Sequence, residues 1–243
     1  MNETIQGLYE RKSIRAFKDI SIPLDEKSII LNAAIQAPTA GNQILYTILD
    51  ITDQNLKDKL AISCDNQPFI AKAPLVLIFL ADCKKWQDAY IYAGLAPREP
   101  EVGDMMLACC DALIAAQNAV TAAWSLGIGS CYIGDILENN EIHTEILALD
   151  KYTIPITMVV FGYPTEQQIQ RTKPDRFERK FVVQENRYSP LTEDELRQMF
   201  NDRANDTNFN YDEYIKKFCD RKYMSEFSKE MSRSVKKYIE NFM

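Results

Sequence analysis

Histidine is almost missing from these 243 residues: His143 is the only one. That scarcity excludes a multi-histidine metal centre and argues against Ser–His–Asp chemistry. The six cysteines (Cys64, Cys83, Cys109, Cys110, Cys131 and Cys219) form no CxxC pair, and the adjacent Cys109 and Cys110 would face different ways on a helix. Small apolar core residues, rather than disulfides or zinc ligands, are expected of them. Positive charge is also short. Lys and Arg number 28 against 35 Asp and Glu, a net charge of −7. A general nucleic-acid binder needs a surplus of cations on one face, although a local basic pocket for one phosphate stays open. Long apolar runs are lacking as well, the longest being residues 73–81 and 154–162, half of a membrane span. The opening MNETIQGLYERKS has no basic-then-apolar plan, so a cytoplasmic protein without membrane association is expected. Repeats, low-complexity tracts, a P-loop, an EF-hand loop and HExxH are absent. Gly127-Ile-Gly129 follows a helical pattern and precedes a strand, the reverse of the dinucleotide-binding order. If the chain is an enzyme, a cofactor carries the difficult chemistry.

What is present is ordinary globular material, 46% hydrophobic and 26% charged, enough for a substantial core. Residues 3–11 read as a short helix with Ile5, Leu8 and Tyr9 on one face, and Asp25 as the cap of a second helix that Pro38 ends. A polar loop from Thr39 to Gln43 leads to a strand-like run, Leu45 to Ile51, and then to a helix from Asp53 to Cys64. Ala73 to Ala81 reads as a strand buried on both faces. Residues 82–103 read as irregular, either a cover over a pocket or a surface excursion. Asp104 to Leu126 is an Ala-rich helix suited to the centre of the core, with Leu107 and the alanines on its close-packed face and Gly127 as its stop. A strand and loop at Gly129–Gly134, a helix near Asn139–Leu147 and a buried strand at Ile154–Gly162 follow, and Thr192 to Met243 is helical by pattern.

The best candidate for gripping an anion is Arg11-Lys12-Ser13-Ile14-Arg15-Ala16-Phe17. In an extended segment, Arg11, Ser13 and Arg15 point to one side and Ile14 to the other. Two guanidinium forks flanking a hydroxyl suit a phosphate monoester; on composition alone a solvated basic turn is the favoured reading. The segment resembles the N-terminal Arg/His-Arg-Ser-x-Arg-x-Phe signature of the nitroreductase superfamily, in its flavin reductase and oxygen-insensitive nitroreductase branch. Ala37-Pro38-Thr39-Ala40-Gly41-Asn42, Asp65-Asn66-Gln67-Pro68-Phe69, Leu126 to Gly134, Lys173-Pro174-Asp175-Arg176 and Val182 to Tyr188 resemble further landmarks of that family, in the same order, over roughly residues 5 to 190.

The resemblance implies an α+β fold: a mixed, mainly antiparallel sheet flanked by helices, with an FMN-binding domain over residues 1–190. A helical extension over 191–243 would pack on the same domain or on a partner subunit. It implies a homodimer with FMN at the interface, NAD(P)H as electron donor, and nitroaromatic, quinone or flavin acceptors. Arg11, Lys12 and Ser13 would serve the phosphate, with Lys173 and Arg176 closing its other side. Arg15 would lie by the flavin N1/O2 edge, Gln67 by the pyrimidine edge, and Tyr132, Ile133 and Gly134 by N5. Thr39 and Asn42 would come from the partner. Asp175 departs from the family's Lys-Pro-Arg: either it points away and Arg176 substitutes, or Lys173 acts alone. A flavin-binding module without turnover is the alternative. His143 is expected to be a packing or surface residue, and Cys131 to be buried. Arg221, Lys222 and Arg233 read either as a solvated helix face or as contacts to the 2′-phosphate of NADPH.

Overall fold

The computed structural model describes residues 1–243. In chain order, its elements begin with α1 (Glu3–Glu10), α2 (Leu24–Ile35), a 3₁₀ turn (Ala40–Asn42), β1 (Tyr46–Asp50), α3 (Gln54–Ser63) and α4 (Pro68–Ala71). Next come β2 (Leu75–Asp82), α5 (Lys84–Tyr92), α6 (Val102–Ser125), β3 (Gly129–Ile133), a second 3₁₀ turn (Gly134–Leu137), α7 (Asn140–Ile146) and β4 (Thr153–Gly162). The chain ends with α8 (Glu166–Gln170), α9 (Arg179–Val182), α10 (Glu193–Ala204), α11 (Tyr211–Phe218), one π-helical turn (Cys219–Tyr223) and α12 (Glu226–Glu240). Two compact units result: Met1–Arg171 with Glu230–Met243, and Thr172–Lys229.

The first unit is built on a four-stranded sheet in the order β1-β2-β4-β3, each neighbouring pair antiparallel. The one parallel pairing is an isolated bridge between Ser13 and Ser130, which lays the N-terminal segment along the outer side of β3. All eight residues of β2 are buried, and alternation divides them between two cores. Leu75, Leu77 and Phe79 meet α2 and α6, whereas Val76, Ile78 and Leu80 meet α3, α4 and the Gly134–Leu137 turn. The continuous apolar run therefore marks a strand covered on both faces, as expected. A third cluster joins Cys83, Met105 and Tyr152 to Tyr238 and Phe242 near the C-terminus.

Helix α6 is long and apolar enough to cross a membrane. Its row of Ala108, Ala112, Ala115, Ala116, Ala119 and Ala123, all at 0% exposure, instead packs in the core facing the sheet. Small side chains let the helix lie close to α2 and the strands. It starts at Val102, where Glu101 and Asp104 form a capping box, and stops at Gly127, whose φ of +74° suits glycine. Leu107, expected on the close-packed face, is exposed.

Four further sequence-based expectations need correction. Residues 82–103 are not all irregular, because 84–92 form α5; that helix buries no residue and so left no apolar stripe to read. On α1, Ile5, Leu8 and Tyr9 are exposed. The side that packs inward is Gly7, where an added Cβ would lie 2.4 Å from the Trp124 ring. At α2 the cap position belongs to Pro23, with Asp25 inside the first turn. Finally, all six cysteines are free, but Cys110 and Cys219 are exposed rather than packed in a core.

The second unit is small and held by side chains rather than by a sheet. Phe177 meets Phe200 edge-to-face, Phe200 and Phe209 pack at a tilt on Tyr214, and the Arg203 guanidinium lies 4.2 Å from the Phe177 ring centroid. Thr192 and Glu195 form the capping box that starts α10.

Candidate functional site

The segment from Arg11 to Phe17 leaves α1 and runs extended beside the sheet. Ile14 donates its N–H to the Ser130 carbonyl at 2.9 Å, and Lys18 donates to the Tyr163 carbonyl at 2.8 Å. Ile14 is buried against Gly129, where an added Cβ would stand 2.6 Å from the isoleucine side chain. Arg11, Ser13 and Arg15 lie near the Cys131 thiol, which burial holds above its ordinary pKa while they pull it down.

Lys12 belongs to a brace that sequence reasoning missed. Its ammonium donates to the carbonyl of Ile169 at 2.6 Å and to that of Arg171. Arg171 in turn donates to the Ser13 carbonyl, and the Arg15 N–H donates to Gln168 Oε1 at 3.2 Å. No local pattern around Gln168 or Arg171 announces this role, since the bonds span more than 150 residues of sequence.

Next to this segment, Tyr132 on β3 lies with its ring centroid 5.7 Å from the Arg11 guanidinium carbon, and its hydroxyl donates to Gln117 Oε1 at 3.3 Å. Burial pushes the Tyr132 pKa up to about 12, against the opposing pull of Arg11, so the phenol stays protonated at neutral pH. Ile133 is buried, whereas Gly134 is exposed and a Cβ built on it would meet nothing within 4 Å. Open space there admits a ligand close to the backbone.

Gln67 occupies the cap of α4 after left-handed Asp65 and Asn66, and its side-chain amide donates to the Cys64 carbonyl at 2.9 Å. Thr39 and Asn42 are held elsewhere in the chain. Thr39 Oγ1 accepts the N–H of Ile44 at 3.2 Å, and Asn42 is exposed with φ of +57°. Lys173 and Arg176 belong to the second unit. Lys173 is half-buried, while Asp175 and Arg176 are exposed, with Arg176 donating to the Pro174 carbonyl at 3.1 Å. The structure therefore brings Arg11, Ser13, Arg15 and Tyr132 together directly.

The remaining candidates have other partners. His143 is fully buried, 2.8 Å from Ser63 Oγ, and burial lowers its pKa. Arg233 forms ion pairs with Glu141 and Glu230, and Arg221 lies over the Phe218 ring.

One atom of this cluster stands out. Arg11 Nε is buried and has no acceptor, although buried donors are nearly always bonded. The Ser13 hydroxyl and the Arg15 guanidinium act with Arg11 on the same Cys131 thiol, a donor set suited to a phosphate monoester. These residues fit the phosphate end of a flavin mononucleotide.

A family model described as the nitroreductase family matches residues 8–163. The chain belongs to the nitroreductase family. Among its relatives is an oxygen-insensitive NADPH nitroreductase of Salmonella typhimurium, 33% identical over 79% of this chain and 78% of that protein. An FMN reductase (NADPH) of Bacillus subtilis is 30% identical over 80% of this chain and 78% of its own length. Of the solved structures, the NfrA1 nitroreductase of B. subtilis superposes with a TM-score of 0.78 at 27% identity, covering 94% of this chain and 98% of that one. This nitroreductase-family chain thus has the α+β architecture that its motifs implied.

Proposed function

We propose that the chain is an FMN-dependent NAD(P)H oxidoreductase of the nitroreductase and flavin reductase type, acting as a homodimer on nitroaromatic, quinone or flavin acceptors. The observation that carries this reading is the buried Nε of Arg11, left without an acceptor in a segment whose Ser13 and Arg15 share its neighbour Cys131. Relatives named for FMN reduction and for nitro reduction with NADPH support it.

Bound FMN supplies a hydride relay between the nicotinamide donor and the acceptor. The chain supplies position and charge. Arg11 and Ser13 hold the phosphate, while Lys12, bonded to the 169–171 backbone, keeps them aligned. Arg15 places a cation at the ring edge where negative charge collects on reduction. Gln67 bonds the pyrimidine edge. Tyr132 and Ile133 shape the wall, and Gly134 leaves the reacting side of the ring accessible. The family resemblance adds Lys173 and Arg176 on the phosphate, and Thr39 and Asn42 from the partner subunit.

Dimerisation is supported by the outer side of α6. Met106, Leu107, Leu113 and Ile114 are exposed there at helical spacing, at 56%, 49%, 46% and 40%, with Cys110 among them. A contiguous apolar stripe on a core helix marks an association surface. Six free cysteines accord with work in a reducing cytoplasm.

The test is direct. Purified protein supplemented with FMN is expected to show a bound-flavin spectrum that bleaches anaerobically on mixing with NADPH or NADH in a stopped-flow cell. Arg11→Ala is expected to weaken FMN binding by about tenfold or more while remaining dimeric. A protein that takes up no FMN defeats the proposal; bound flavin that neither nucleotide bleaches reduces it to a binding module.

A further inference from the structure

Asp111 is the one acidic side chain in the middle of α6, in a run otherwise made of alanine and other apolar residues, and only 3% of its surface is exposed. Its two oxygens face a loop 66 to 71 residues away in sequence. Oδ1 accepts the N–H of Ala40 at 3.0 Å, and Oδ2 accepts the N–H of Leu45 at 3.2 Å. Between those two donors the backbone takes the left-handed region at Gly41 (φ +57°), Asn42 (φ +57°) and Ile44 (φ +53°). Asparagine tolerates that region; a β-branched isoleucine holds it only where surrounding contacts impose it.

Those contacts are all visible. Thr39 Oγ1 closes the loop from inside by accepting from Ile44, and the Trp86 indole N–H donates to the Gln43 carbonyl at 2.7 Å. The Asp111 carboxylate binds both ends of the turn at once. Only a group with two acceptor oxygens on one carbon can do so: asparagine would accept one N–H and turn a donor towards the other.

We propose that Asp111 is a positioning residue for the flavin site, fixing the Thr39–Asn42 turn in the shape that meets FMN across the subunit interface. The inference rests on the proposed role of Thr39 and Asn42 at that interface. It adds a physical link between the two subunits' sites. Asp111 points inward from the same helix whose outward residues, Cys110, Leu113 and Ile114, form the apolar stripe. A second copy docked on α6 would then meet a turn whose geometry α6 itself dictates.

The decisive comparison uses Asp111→Asn and Asn42→Ala in the full-length protein, with FMN as the probe. FMN affinity, the visible circular dichroism of the bound flavin and apoprotein melting are measured at a temperature where every variant is folded. Asp111→Asn is expected to raise the FMN dissociation constant by about tenfold and to alter the visible dichroism of the flavin still bound. A lowered melting temperature with unchanged affinity and dichroism makes Asp111 a mere staple and overturns the inference. Asn42→Ala tests the reading beneath it. If that variant weakens FMN and Asp111→Asn does not, only the positioning role fails; if Asn42→Ala changes neither affinity nor dichroism, the turn does not touch flavin and both fail. Should Asp111→Asn not fold, Ala40→Pro removes the same hydrogen bond from the loop side. It sits at the first position of the 3₁₀ turn, where proline fits. The same rise in dissociation constant supports the inference, and an unchanged one overturns it.

Discussion

Glu138 stands where the Gly134–Leu137 turn gives way to α7, buried, with Asp135, Asp65 and Glu230 around it. Burial first, and then those three carboxylates, push its pKa up to about 7 from an ordinary 4.5. Folded Glu138 therefore binds its proton more tightly than the unfolded chain does. Its stabilising contribution is whole below about 4.5 and is lost as the pH rises through about 7. The loss is on the order of 3 kcal/mol. Glu138→Gln is expected to be more stable than the parent at pH 8 and to differ little from it at pH 4.5, as urea unfolding at the two pH values would report. An equal difference at both would contradict the assignment. Buried His143 works in the opposite direction, because a lowered pKa gives a contribution present above its ordinary value and lost as the pH falls. Comparing the variant with its parent cancels that second term. At this scale the sequence was uneven as a guide. The Arg11–Phe17 side was legible because three polar residues alternate with a buried isoleucine. Asp111 and Arg171 were not, because their partners are backbone groups far away in the chain.

Elements were legible where burial wrote a period into the sequence. The β2 run and the alanine row of α6 announced themselves because two cores press on one and a sheet on the other. Helix α5 did not, since Lys84–Asp88, an i,i+4 pair at 2.5 Å, and bonds from Lys85 and Trp86 hold it in place of a buried stripe. Close contacts between elements carry a second kind of prediction. At Gly129 a Cβ would stand 2.6 Å from Ile14 Cγ1 and 2.9 Å from Ile14 Cβ, so the clash cannot be relieved by rotating a distant side-chain end. Gly129→Ala is expected to destabilise the protein by about 1–3 kcal/mol. Because it pushes the Ser13–Arg15 strand outward, it is also expected to weaken FMN binding. Adding Ile14→Ala should recover much of the stability in thermal melts, and a double variant no better than the single one would refute this account.

At the scale of the whole molecule, α6 is apolar on two sides with a sheet for only one of them. Leu113→Asp places a carboxylate in the outer stripe, where a two-fold interface would bring two copies of the charge into a desolvated surface. Its dimer dissociation constant, read by sedimentation velocity, is expected to rise by a hundredfold or more while helicity is retained. A parent protein that sediments as a monomer, or a variant as dimeric as the parent, would remove that stripe from the interface. The sequence could show that α6 is apolar, but not that its outer side lacks a covering element, since that depends on where every other segment ends up.

The single parallel bridge between Ser13 and Ser130 has a bearing on the life of the chain before any cofactor arrives. β3 is the last strand of the sheet, and its outer N–H and C=O groups are the kind that recruit strands from other molecules. The Arg11–Phe17 segment lies along that rim, and its brace to the 168–171 backbone keeps it there. The segment assigned to the phosphate therefore also covers part of an edge that would otherwise be open to strand pairing. The covering segment precedes β3 in the chain, so it is ready to close the rim as soon as β3 has been made.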